Sequence, residues 1–131
     1  MKFKILIPIY NDWQSVLELL DNINSSIESL EHEISVIIVN DASNHDRPIY
    51  EKDLENIHSV KILNMKINQG HARCIATGLK YIYEKEDFDY VIPMDGDGED
   101  RPEEIPQFIN RVEDSKDKVI VGERVKRSEN L

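Results

Sequence analysis

Three nearly unbroken apolar runs, residues 3–9, 34–39 and 90–94, constrain this chain more than any other feature. Hydrophobic residues fall at consecutive positions in them rather than at every second one. A strand that is apolar on both sides must be covered on both sides, which is the condition of strands in a parallel sheet. Between the runs the spacing changes to that of helices. Val16, Leu17, Leu19, Leu20, Ile23, Ile27 and Leu30 line one face of residues 13–30, with Asn11 or Asp12 as the cap. Residues 70–83 form a second helix whose buried face is Ala72, Ile75, Ala76, Leu79 and Ile82, and residues 102–112 form a third. A further strand is expected at 60–65 and a short fifth one at 119–121. Residues 44–58 read as a loop with a short helix after Pro48. The alternation predicts an α/β fold, a mostly parallel Rossmann-like sheet with helices on both faces. At 131 residues, with no internal linker, it is one domain.

Composition narrows the function classes. Sixteen Lys and Arg against 26 Asp and Glu leave a formal charge of -10, which argues against a nucleic-acid partner. Such a chain meets anions through a metal or a small local basic cluster. The single cysteine, Cys74, cannot form an internal disulfide, so a reducing, cytoplasmic setting is expected. Its place in an apolar helical stripe makes it a small core residue rather than a nucleophile. No apolar run approaches the roughly 20 residues of a membrane span. Met1 runs straight into a strand pattern, which leaves no room for a signal peptide.

The chemistry concentrates where the run 90–94 stops, at Asp95-Gly96-Asp97-Gly98-Glu99-Asp100. Open α/β sheets bind ligands at the carboxyl ends of their strands. Carboxylates this dense repel one another and are best tolerated beside a cation. Hard oxygen donors suit Mg²⁺ or Mn²⁺ bridging to a phosphate. Two plainer readings stand beside this one: a solvated Asp/Gly turn, and a helix start in which Glu103 and Glu104 follow Pro102. A calcium EF-hand is excluded, because Asp100 stands where its glycine belongs and Pro106 where its glutamate belongs. The other two runs end in the same style, at Tyr10-Asn11-Asp12 and at Asn40-Asp41-Ala42-Ser43. In a parallel sheet all three exits share one edge, which favours a ligand site there.

Five pieces in register give the chain a resemblance to a known family. They are Ile7-Pro8-Ile9-Tyr10-Asn11-Asp12, Ile38-Val39-Asn40-Asp41-Ala42-Ser43, Asn68-Gln69-Gly70-His71-Ala72 with Gly78, the segment from Met94 to Glu103, and Val121-Gly122-Glu123-Arg124-Val125-Lys126-Arg127. In order and spacing they resemble family 2 glycosyltransferases, especially the dolichol-phosphate mannosyltransferase-like group, with their glycosyltransferase A-type fold. The resemblance implies that the loop from Pro8 to Asp12 borders the nucleobase and ribose, with Tyr10 as a stacking face and Asp12 accepting from ribose hydroxyls. Asp41 would accept from the ring N–H of uracil or guanine, hence a UDP- or GDP-linked sugar. Asn40 stands where the family often has Asp. Gly70 would either let the backbone approach the ligand or start a helix tightly. Arg73 would reach a phosphate or remain solvated. His71 reads as a polar helix-start residue rather than a metal ligand.

Within the acidic motif the resemblance implies Asp97 as direct metal ligand, Glu99 assisting and Asp95 holding ribose or metal, with Mg²⁺ or Mn²⁺ bound. Relatives often carry an amide at the Glu99 position and an apolar residue at that of Gly98. Arg124 and Arg127 would close over a donor or acceptor phosphate, or else form a basic tail. Asp97, Arg124 and Arg127 are thus the implied catalytic group. The implied reaction is inverting sugar transfer, with a polyprenyl phosphate at a membrane surface as the expected acceptor. Residues 1–131 then read as one nucleotide-sugar-binding domain cut before the acceptor-binding half, whose full-length relatives can be membrane-associated. A non-catalytic module that binds a nucleotide diphosphate and completes another subunit is the competing reading, and a homo-oligomer stays open. A nucleotidyltransferase is weaker, for want of a Gly-rich, lysine-bearing loop near the N-terminus.

Overall fold

The computed structural model describes residues 1–50, 52–97 and 101–114. Among them the order is β1 (Lys2–Ile9), α1 (Trp13–Ser26), β2 (Glu33–Asn40), β3 (Ser59–Asn64), α2 (His71–Lys85), β4 (Tyr90–Pro93), a 3₁₀ turn at Pro102–Glu104, and α3 (Ile105–Asp114). The strands form one sheet in the order β3-β2-β1-β4. All pairs are parallel, with Ile5 opposite Val36 on one side and Ile92 on the other.

The solid runs are explained by two cores, one on each side of the sheet. Phe3, Ile5, Ile7 and Ile9 of β1 and Ile34, Val36 and Ile38 of β2 meet Val16, Leu19, Leu20 and Ile23 of α1, together with Ile109 and Val112 of α3. Leu6, Ile37 and Val39 meet Cys74 and Ile82 of α2 on the opposite face. Handedness dictates this division. The steps from β1 to β2 and from β3 to β4 run in opposite directions across the sheet, so right-handed crossovers put α1 and α2 on opposite faces. The link from β2 to β3 runs the same way as the first step and lies on the α1 face. There Ile57 and Leu54 join the core, and Asn56 bonds Asn24 through its backbone N–H (2.8 Å) and its side chain (2.9 Å).

Several expectations are corrected. α1 ends at Ser26, and Ile27 and Leu30 pack from a turn in which the Leu30 N–H bonds the Ile27 carbonyl. Asp12 occupies the N-cap position without a side-chain capping bond; its carboxylate accepts from the Tyr10 N–H at 3.3 Å instead. The short helix expected just after Pro48 is not formed among the described residues of 48–58. Tyr50 and Lys52 secure that segment by donating to the Asp21 carboxylate of α1 at 2.6 and 2.8 Å. The third helix begins as a 3₁₀ turn on the buried Pro102. The buried stripe of α2 is Cys74, Gly78 and Ile82, with Ile75 and Tyr81 half-buried, while Ala72, Ala76 and Leu79 face outward. Gly78 is the reason. A Cβ there would lie 2.3 Å from Leu6 Cδ1 and 3.1 Å from Val39 Cγ2, so the helix backbone rests directly on the sheet along this line. The expected strand at 119–121 lies outside the described residues. No described helix is long and apolar enough to cross a membrane.

Lys4 is the one charged residue inside a solid run, and it is buried. Its ammonium faces Glu86 at 3.4 Å, and Glu86 also takes Lys61 at 2.8 Å. The desolvated charge is therefore paired rather than orphaned.

Candidate functional site

The strand order makes β1 a switch point. The chain leaves it toward β2 and β3 on one side and returns to β4 on the other. A crevice at the carboxyl ends of β1 and β4 is where such sheets hold their ligands. A cleft of about 230 Å³ occurs there, lined by Pro8, Asp12, His71, Asp95, Gly96 and Asp97.

The lining residues arrive from four places in the chain: β1, the start of α1, the start of α2 and the exit of β4. Pro8 is buried near the end of β1, and Asp12 opens α1. The exit of β4 is drawn against β1 by the Met94 N–H, which bonds the Leu6 carbonyl at 2.9 Å. Gly96 then fits only because it lacks a side chain. A Cβ would lie 2.6 Å from Ile9 Cγ2 and 3.2 Å from the Pro8 carbonyl oxygen. Asp95 and Asp97 flank this glycine and line the cleft. His71, the first residue of α2, completes the wall with Nε2 3.6 Å from Asp95 Oδ1.

The neighbouring loops are knitted together by polar side chains. Asn11, at φ 60°, accepts from the backbone N–H groups of Asn44 (3.0 Å) and His45 (3.1 Å), and its own N–H donates to Ser43 Oγ at 2.8 Å. Trp13 Nε1 donates to the His45 carbonyl at 3.1 Å. Asn40 accepts from the Ser43 N–H at 3.1 Å and donates to Asn64 Oδ1 at 3.0 Å. That second bond uses the amide N–H₂, which an aspartate would lack.

Asp41 is buried, and its two carboxylate oxygens accept from the backbone N–H groups of Gln69 (2.8 Å) and Gly70 (2.9 Å). Burial alone would raise its pKa, but these two bonds and the Cys74 thiol hold it below the ordinary carboxylate value. Burial, and then the Asp41 carboxylate, push the Cys74 thiol up to about 11. The two bonded N–H groups belong to the residues immediately before α2, which starts at His71, so the clamp fixes where that helix begins. Gly70 has φ 94°, and nothing lies within 4 Å of where its Cβ would be. Of its two expected uses, the described chain shows the tight helix start.

The cleft thus unites Pro8, Asp12, Asp95 and Asp97. Tyr10 is 44% exposed on the β1 exit loop, outside the lining. Asp41 is outside the lining and holds the residues just before α2. Arg73 is exposed, and its Nε donates to Gln69 Oε1 at 3.1 Å rather than entering the lining. Glu99, Arg124 and Arg127 lie outside the described residues. Two lining residues, His71 and Gly96, were absent from the sequence-based set. For Gly96 the signal was its place between two aspartates. For His71 it was position alone, at the start of the helix that returns the chain to β4.

Among the described residues no group of three or more His, Cys, Asp and Glu is arranged to hold a metal. Asp12, Asp95 and Asp97 nevertheless offer hard oxygen donors around one cleft. That set fits Mg²⁺ or Mn²⁺ held by one or two carboxylates, with the remaining positions left to phosphate and water.

Comparison with known proteins bears on this arrangement. An undecaprenyl-phosphate 4-deoxy-4-formamido-L-arabinose transferase of Proteus mirabilis (strain HI4320) is 30% identical over 125 residues. The match spans 94% of this chain but 36% of that protein. The crystal structure of S. aureus TarS 1-349 covers 98% of this chain and 39% of its own, at 18% identity and a TM-score of 0.60. A second S. aureus TarS structure covers 86% and 20%, at 18% identity and a TM-score of 0.50. At such identity the two TarS structures speak for the fold alone, a glycosyltransferase A-like parallel sheet with helices. The model of the family described as glycosyl transferase family 2 matches residues 4–131. With nearly its whole length matched, the chain belongs to glycosyl transferase family 2.

Proposed function

We propose that the cleft between β1 and β4 holds a nucleotide-diphosphate sugar, and that this chain is the donor-binding part of a metal-dependent, inverting glycosyltransferase with a polyprenyl-phosphate acceptor. The observation that carries the reading is the meeting of Asp12, Asp95 and Asp97 in one cleft at the switch point of a family 2 chain. The Proteus mirabilis relative, named for transfer to undecaprenyl phosphate, supports the acceptor class.

In this reading Asp12 accepts from ribose hydroxyls. Tyr10 offers its exposed ring to the base, and Asp41 reads the ring N–H of uracil or guanine with the acceptor capacity left beside its bonds from the Gln69 and Gly70 N–H groups and the Cys74 thiol. Asp95 and Asp97 hold Mg²⁺ or Mn²⁺, with Glu99 assisting. When bound, such an ion offsets the charge that develops on the diphosphate leaving group. Arg73, Arg124 and Arg127 are the guanidinium groups for the phosphates. An acceptor phosphate oxygen attacks the anomeric carbon as the bond from that carbon to the diphosphate oxygen breaks, with inversion. Because the acceptor is already anionic, no general base is required.

The reading is tested by thermal unfolding of the chain with UDP, GDP and their sugars, each in Mn²⁺, Mg²⁺ or EDTA. A ligand at a hundred times its dissociation constant adds roughly 2.7 kcal/mol, a rise on the order of 10 °C for a domain of this size. The expected result is a metal-dependent rise with one nucleotide that is lost in Asp97→Asn. Unchanged midpoints with every nucleotide would refute the donor site.

A further inference from the structure

We infer that His71 is a positioning residue of the donor site, acting through Asp95; the inference rests on the donor reading above. His71 lines the cleft, and its Nε2 stands 3.6 Å from Asp95 Oδ1. That is within ion-pair range and just beyond hydrogen-bond length, so a small rotation of either side chain closes the contact. The two residues are unequal in freedom. The Asp95 side chain is 16% exposed and follows a short strand, whereas His71 is 64% exposed on the first turn of α2.

The start of α2 is itself held from the sheet. Asp41 takes the N–H groups of Gln69 and Gly70, and Gly78 seats the helix on Leu6 and Val39. The backbone that carries His71 is therefore held from the sheet, and closing the 3.6 Å gap to Asp95 would link that held end of α2 to the exit of β4. A carboxylate that binds a metal or ribose needs one oxygen restrained for the other to be aimed. Groups in this outer role typically change metal affinity by about 10- to 100-fold when removed. Among the described residues lining the cleft, His71 has the one side chain able to donate a hydrogen bond in this way, since the others are carboxylates, a proline and a glycine.

The test measures binding of UDP and GDP to the full chain in Mn²⁺ and in EDTA, for wild type, His71→Ala, His71→Gln, Asp95→Asn and the double variant His71→Ala/Asp95→Asn. Lys80→Ala serves as an exposed control on the same helix. We expect His71→Ala to weaken Mn²⁺-supported binding about 10-fold and to leave the unfolding midpoint unchanged. His71→Gln, which keeps a donor, recovers most of the loss, and Lys80→Ala binds as wild type. If His71 acts through Asp95, His71→Ala has no further effect in the Asp95→Asn background. Wild-type affinity in His71→Ala, or an equal loss in the Asp95→Asn background, overturns the inference while the donor reading stands. Absence of nucleotide binding in the wild type itself overturns both.

Discussion

Ala42 holds φ 56° in the loop after β2, a left-handed conformation that disfavours a Cβ by roughly 1–2 kcal/mol. Glycine would relieve that strain and lose about 0.5–1 kcal/mol of it through the greater freedom of its unfolded chain. Ala42→Gly is therefore expected to stabilise the protein by about 0.5 kcal/mol in urea unfolding; a loss of stability would show that the methyl group makes a contact that outweighs the strain. Asp41, one residue earlier, works in the opposite sense. Its two carboxylate oxygens hold the Gln69 and Gly70 N–H groups. In Asp41→Asn an N–H₂ faces one of those donors, at a cost of about 2 kcal/mol near neutral pH. The sign of the pH dependence follows from the lowered pKa. The stability contributed by Asp41 is complete above the unfolded carboxyl value of about 3.9 and is lost as pH falls through the lower folded value. Urea unfolding of wild type and Asp41→Asn at pH 7 and pH 3 is expected to show the gap narrowing on the acid side. An equal gap at both values would mean that the carboxylate is not the group responsible.

At the scale of elements, the seating of α2 on the sheet decides the site, because the first residue of that helix forms one of the cleft walls. Gly78 sets the distance. Alanine there gains about 1 kcal/mol of helix propensity but brings a Cβ to 2.3 Å from a fully buried Leu6 methyl. Overpacking of this kind costs about 1–3 kcal/mol and displaces backbone. Gly78→Ala is expected to destabilise by about 1 kcal/mol net and also to weaken nucleotide binding, since α2 lifts at the end that carries His71. Urea unfolding and a binding titration on one preparation check both parts; stability at or above wild type would show that Leu6 can yield. The same glycine explains why hydrophobic spacing misplaced the buried face of α2. Ala72, Ala76 and Leu79 make the more apolar stripe by composition, but the sheet selects for closeness, and Cys74 and Gly78 are small enough to admit it.

For the whole molecule, order follows from strand position. β1 is hydrogen-bonded on both sides, by β2 and β4, and its residues 3–9 are all buried. β3 lies at the outer end of the described sheet, with three of its six residues exposed and none buried. Amide exchange is expected to be slowest at Ile5, Leu6 and Ile7, where it reports global unfolding, and at least about tenfold faster at Val60 and Ile62; comparable rates would mean that β3 opens only with the whole domain. The sequence by itself determined the parallel, two-faced sheet, because apolar residues at consecutive positions leave no other way to be covered. It also marked the three polar exits, because parallel strands must end on one edge. Strand order, by contrast, came only with the tertiary structure. Nothing local in residues 90–94 says that they return beside residues 3–9, yet that return creates the crevice and brings Asp12 toward Asp95 and Asp97. The partners of Asp41 and the place of His71 were hidden for the same reason. Both depend on α2 crossing the sheet between two strands that are far apart in it, a contact that burial and crossover handedness decide jointly and that no stretch of sequence encodes on its own.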